Sequence, residues 1–211
     1  MKRLNRDGFH FYVAGILILT FGIALTILSK LGASPFDALL VGLHRTFGLT
    51  VGSWEIVVGL TMILCNALAQ KSKPEFYALL TSLITGIGID FWLFVLSNWI
   101  NPLTMLGQSF ALGLGIVFTG IGVATYLQSK FAPNPLDRSM LVVSNLTGLK
   151  MAYSRALISI VLVIIAFFFD GAIGVGTLIN ALITGVLINF FMPYIVSFRN
   201  KAIKRKEKLA C

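Results

Sequence analysis

The stretch Ser29-Lys-Leu-Gly-Ala-Ser-Pro-Phe-Asp37 returns 100 residues later as Ser129-Lys-Phe-Ala-Pro-Asn-Pro-Leu-Asp137. Working outward from it, residues 15–55 align with 115–155 without a gap, and ten of the 41 pairs are identical. These are Gly15/Gly115, Ile16/Ile116, Gly22/Gly122, Ala24/Ala124, Ser29/Ser129, Lys30/Lys130, Pro35/Pro135, Asp37/Asp137, Gly48/Gly148 and Leu49/Leu149. Gly, Pro, Asp and Lys are too sparse in such apolar surroundings for these matches to follow from composition. After one deletion a second block agrees, Leu83-Ile-Thr-Gly-Ile-Gly-Ile-Asp-Phe91 with Leu182-Ile-Thr-Gly-Val-Leu-Ile-Asn-Phe190. A fixed offset of this kind marks an internal structural repeat. One repeat covers 9–98 and the other 105–196. A basic tail, 197–211, completes a single domain over 1–211.

Of the 211 residues, 57% are hydrophobic and 12% charged, against about 25% charged in an ordinary soluble domain. Six apolar runs, at about 9–29, 51–70, 76–98, 105–128, 153–170 and 174–196, reach the roughly 20 residues needed to cross a bilayer. Two further apolar segments, 35–47 and 135–147, are too short, since a 13-residue helix is only about 20 Å long. The expected fold is therefore an all-α membrane protein of six transmembrane helices. The apolar run behind Met1-Lys-Arg3 is too long for a signal peptide and has a counterpart in mid-chain, so it is expected to stay. Tyr12, Trp54, Trp99, Tyr126, Tyr153 and Tyr194 fall near span ends, where interfacial aromatics concentrate.

Positive charge sets the topology. Lys2, Arg3, Arg6, Lys71, Lys73, Lys130, Arg138, Lys150, Arg155, Arg199, Lys201, Lys204, Arg205, Lys206 and Lys208 share one side when six segments cross. Only Lys30 and Arg45 fall opposite. The positive-inside rule then places both termini in the cytoplasm. The net charge of +9 reads as a topology signal, with the tail resting on anionic lipid. Nothing resembles a nucleic-acid module. A homo-oligomer is compatible with the sequence and not specified by it.

Each unit contains three spans, an odd number, so the second enters the membrane from the opposite side. The expected architecture is an inverted 3+3 repeat with one short, re-entrant helix per unit. Many secondary transporters are built this way, with substrate sites where discontinuous helices meet near the midplane.

The Gly-rich first span, Leu31-Gly-Ala-Ser-Pro-Phe-Asp37, Gly48-Leu-Thr-Val-Gly-Ser-Trp54 and Thr85-Gly-Ile-Gly-Ile-Asp-Phe91 together resemble the YczE/YyaS/YitT group of bacterial membrane proteins. The resemblance runs over roughly residues 10–196. It implies the bacterial cytoplasmic membrane and brings no catalytic residues to carry over.

Ser34-Pro35-Phe36-Asp37 and Asn134-Pro135-Leu136-Asp137 have the form of helix starts. Ser34 or Asn134 would be the N-cap, Pro the first helical residue, and Asp the third, able to reach back as in a capping box. Gly48 and Gly148 suit the left-handed position that closes a helix. Both aspartates can be simple caps. Alternatively, the two helix starts face a shared cavity with paired carboxylates. Asp90 lies within an apolar run, where an ionisable group reads as functional by default, and its repeat counterpart is Asn189. The pair suits a coupling-ion or proton site, or else a hydrogen-bonded lock between the halves. Glu55 and Arg155, equivalent and opposite in charge, read as snorkelling residues near span starts. Asn66 and Asn180 read as interhelical glue. Thr85 and Thr184 are expected to bond back to helix carbonyls, and Cys65 to be a small buried residue.

No metal-ligand spacing, nucleophile elbow or Walker loop is present, so neither an enzyme nor a cofactor is expected. Gly86-Ile-Gly-Ile-Asp90 departs by one residue from the Gly-x-Gly-Asp of intramembrane aspartyl proteases. The sequence thus points to a permease or secondary transporter of a small solute. Asp90, Asn189, Asp37, Asp137, Ser34 and Asn134 would line the path, and Pro35, Pro135, Gly48 and Gly148 would mark helix breaks. A non-transporting scaffold that regulates a partner enzyme remains open.

Overall fold

The structure is a computed structural model that describes residues 6–129, 131 and 134–210. Lys2, Arg3, Lys130 and Cys211, and the side chains of Arg6, Lys204, Arg205, Lys206 and Lys208, lie outside the described residues.

Eight α-helices and no strand occur among the described residues. They are α1 Arg6–Leu28, α2 Pro35–Phe47, α3 Val51–Gln70, α4 Phe76–Ser97, α5 Met105–Tyr126, α6 Pro135–Thr147, α7 Met151–Phe168 and α8 Val175–Ala210. A 3-10 turn, Leu127–Ser129, extends α5. Six helices are long and apolar enough to cross a membrane, and α2 and α6 are the two short ones. Large apolar side chains such as Leu68, Phe94, Phe110, Phe167, Leu178 and Leu182 lie on the outside, as befits a bundle whose solvent is lipid. Cys65 joins that exposed face and is not buried. The basic tail continues α8 without a break, because Lys, Arg, Glu and Ala are strong helix formers and no Gly or Pro follows Pro193.

The bundle is organised around α1 and α5. A Cβ added at Gly15 would strike the backbone of Tyr126, at Gly22 that of Thr119, at Gly115 that of Thr26, and at Gly122 that of Leu19. Rising numbers on one helix meet falling numbers on the other, so these repeat-equivalent helices run antiparallel. The remaining contacts come in matched pairs. Helix α1 packs on α4 as α5 packs on α8, α2 on α7 as α6 on α3, and α2 on α3 as α6 on α7.

One contact breaks the match. Helices α3 and α4 pack closely, with Gly52 against the Gly86 carbonyl and Gly59 against Ser82. Helices α7 and α8 make no comparable contact. Gly185, equivalent to Gly86, has nothing within 4 Å of its would-be Cβ, and Ala152, equivalent to Gly52, is exposed.

The repeat extends to loop detail. Leu31 N–H donates to Ser29 Oγ, and Phe131 N–H to Ser129 Oγ. Gly48 N–H donates to the His44 carbonyl, and Gly148 N–H to that of Ser144. Both glycines have positive φ, but only Gly148 is left-handed; the ψ of −150° at Gly48 sends its chain elsewhere.

Substituting Gly22→Ala should destabilise the purified protein by about 1–3 kcal/mol, the usual cost of overpacking. The methyl would meet backbone that cannot move aside. Gly113→Ala, with nothing within 4 Å, should leave thermal stability in detergent unchanged or raised.

Candidate functional site at the starts of the two short helices

Helix α2 starts as its sequence dictates. Ser34 Oγ accepts the N–H of Asp37 at 3.2 Å and donates to Asp37 Oδ2 at 2.5 Å. The capping box is therefore modified, since the carboxylate takes the cap's hydroxyl rather than its amide. Residues Pro35–Leu43 are all buried. At the other end, Arg45 and Thr46 donate to the carbonyls of Asp170 and Phe169, in the connection between α7 and α8. Thus α2 runs from the interior to one end of the bundle, enclosed by protein for most of its length. A helix that ends within the hydrocarbon zone needs that enclosure to satisfy its free backbone groups.

Helix α6 starts differently. Asn134 Oδ1 accepts the N–H of Leu136 at 3.1 Å rather than that of Asp137. Asp137 instead turns to Tyr126, whose phenol donates to Oδ2. Tyr126 is 3% exposed, so it is no interfacial aromatic. Tyr12 is equally enclosed, with its hydroxyl bonded to Thr81 Oγ1 at 3.0 Å.

The two helix starts meet at one chamber of about 100 Å³. Its walls carry Ser34, Asp37, Asn134 and Asp137 together with Tyr126, Thr119, Arg155, Asn180 and Thr184, among Leu19, Ile23, Phe36 and Leu136. A smaller cavity of about 50 Å³ shares Ser34, Phe36, Leu136, Arg155 and Asn180, and continues between α7 and α8 along Ile158, Ser159, Leu162 and Ala181. The space left between those helices is thus continuous with the chamber wall at Arg155.

Asp90 and Asn189 lie elsewhere. Asp90 Oδ1 accepts the N–H of Gly52 at 2.8 Å, in the first turn of α3. A free amide at a helix start favours a carboxylate through hydrogen bonding and the helix dipole, and that accounts for an acid at this depth. Asn189 is exposed on α8. Neither lines the chamber, and the expected pairing between them is not formed.

Two charged residues read as snorkelling belong to the interior. Glu55 is 1% exposed, stands beside Asn134 and Ser82, and feels the charge of Asp37. Its Oε1 has no hydrogen-bond partner. Arg155 lines the chamber, where its charge acts on Asp137 and Tyr126. The signal that could have found them was their opposite charge at equivalent repeat positions. Asn66 does bridge helices, donating to Ser139 Oγ at 3.0 Å. Thr184 bonds Asn180 Oδ1 at 2.6 Å rather than a carbonyl, and Thr85 Oγ1 finds no partner. Among the described residues, no group of three His, Cys, Asp or Glu side chains could hold a metal ion.

The family described as "Family of unknown function (DUF6198)" matches residues 6–193. YyaS, an uncharacterized protein of Bacillus subtilis (strain 168), is 46% identical over 185 residues, 88% of this chain and 92% of that protein. YczE, an uncharacterized membrane protein of the same organism, is 34% identical over 197 residues, 93% of this chain and 90% of its own. A Haemophilus influenzae protein is 27% identical over 179 residues, covering 84% of this chain and 80% of that one. No solved structure matches.

Asp90→Leu should cost about 1–2 kcal/mol of stability by removing a helix-start acceptor. Asp90→Asn keeps an oxygen for Gly52 and should retain most of it. Thermal melts of the two variants in one detergent distinguish a cap from an obligatory ion site, which Asn would not replace.

Proposed function

The chain belongs to this DUF6198 family of integral membrane proteins, and we propose that it is a permease or secondary transporter of a small solute. The path runs through the chamber between the starts of α2 and α6, and Ser34, Asp37, Asn134, Asp137 and Arg155 are its polar wall. The termini are assigned to the cytoplasm on the charge bias, and the basic tail to the anionic lipid surface.

The observation that carries the reading is the unlike packing of two like units. Helices α3 and α4 are closed at Gly52 and Gly86, while α7 and α8 stand apart at Ala152 and Gly185. In an inverted repeat, exchanging the two packings turns a site open toward one membrane face into a site open toward the other. That exchange is alternating access by one bundle rocking on another. Antiparallel α1 and α5, with their glycine contact, provide the axis. A scaffold that only binds a partner has no use for a buried chamber with carboxylates and a guanidinium, since such groups are costly in a membrane unless used. No ATP-binding loop is present in the sequence, so uphill movement would draw on an ion gradient or on a partner subunit.

The test uses protein with Cys65 and Cys211 replaced by Ser. Ala152→Cys with Gly185→Cys should cross-link on mild oxidation in membranes, because the second unit must visit the closed packing of the first. An impermeant maleimide should reach Ser34→Cys from one membrane face before cross-linking and from the opposite face after it. No cross-link, together with labelling from a single face throughout, would instead identify a static scaffold.

A further inference from the structure

Building on the transporter reading, we infer that the chamber is a binding site for a small zwitterion carrying an amine and a carboxylate, of the amino-acid class. Arg155 acts on Asp137 through space, but no ion pair within 4 Å joins the two kinds of charge on the wall. Asp37 and Asp137 each accept one neutral hydroxyl, from Ser34 and from Tyr126, and each has a second carboxylate oxygen to offer. Arg155 makes no hydrogen bond and no ion pair within 4 Å among the described residues. Its planar fork of donors matches a carboxylate in two-point fashion. It shares the wall with the start of α2, Ser34, Pro35 and Phe36, where the helix dipole also favours an anion.

Charge then selects the class. A simple anion would satisfy Arg155 but face two carboxylates. A simple amine would satisfy the carboxylates but face the guanidinium. A molecule bearing both groups meets both needs, and leaves no net charge to move through the low-dielectric interior. The apolar wall of Leu19, Ile23 and Phe36 leaves room for a short aliphatic part.

The experiment is thermal unfolding of the full chain in detergent, titrated with the twenty proteinogenic amino acids, β-alanine and glycine betaine, and with propionate and ethylamine as single-charge controls. At least one zwitterion should give a saturable rise in Tm that neither control gives. Arg155→Gln should weaken its apparent affinity tenfold or more, with Arg155→Lys weakened less. Asp37→Asn should weaken it too, while all three variants stay monodisperse on gel filtration. Gly113→Ala, away from the chamber, should bind as the parent does. A response to ethylamine alone, undiminished in Arg155→Gln, would overturn the assignment, as would no response to any probe. Either of these results alongside successful cross-linking and two-face labelling would remove the ligand class and leave the transporter reading standing.

Discussion

The structure depends on how closely α1 and α5 approach. Within a bilayer there is no hydrophobic drive between helices, so association rests on van der Waals contact and hydrogen bonds. Gly15, Gly22, Gly115 and Gly122 supply the contact by presenting bare backbone at a spacing of seven residues in each helix. Thr20, Thr26 and Thr125 return their hydroxyls to carbonyls of their own helices at 2.7–2.9 Å, while the Thr119 hydroxyl, against Gly22, has no partner. Helices α4 and α8 flank this pair, and the two short helices are held chiefly by α3 and α7.

That seam explains why the interior can hold charge. Helices α2 and α6 are too short to cross, and their starts would be ruinous in lipid. Enclosed chiefly by α3 and α7, they place capped ends at one chamber. Glu55 and Arg155, one on each flanking helix, carry the same logic one step outward. Each sits at the fifth residue of its helix beside the short helix of the other unit, but only Arg155 lines the chamber. Exposed ion pairs lie at the rim, Arg138 with Glu75 at 2.5 Å and Arg45 with Asp170 at 3.9 Å. Such pairs contribute little to stability, and they bridge the short helices to neighbouring connections.

The spans, the short helices and their caps were legible because each follows from local chemistry. Apolar length marks a crossing, Ser-Pro and Asn-Pro mark a helix start, and Gly48 and Gly148 mark an end. For Ser34, Asp37, Asn134 and Asp137 the 100-residue offset left two readings, simple caps or a shared cavity, and the four line one chamber. Asp90 was misleading because depth in an apolar run does not say what faces a side chain, and here a helix start does. Tyr126 and Glu55 were hidden for the converse reason. Both lie near span ends by sequence, and only the neighbouring short helix turns those positions into interior.

The sequence by itself thus determined the class, the element order and the twofold repetition, because hydrophobic length, capping residues and self-similarity are properties of a line of residues. Only the tertiary structure decided which polar groups share a chamber and which of two like units is closed. Those depend on helix rotation and on which neighbour fills a given face. No local signal carries that information, since Gly52 with Gly86 and Ala152 with Gly185 differ by a single methyl and yet are packed in one unit and parted in the other.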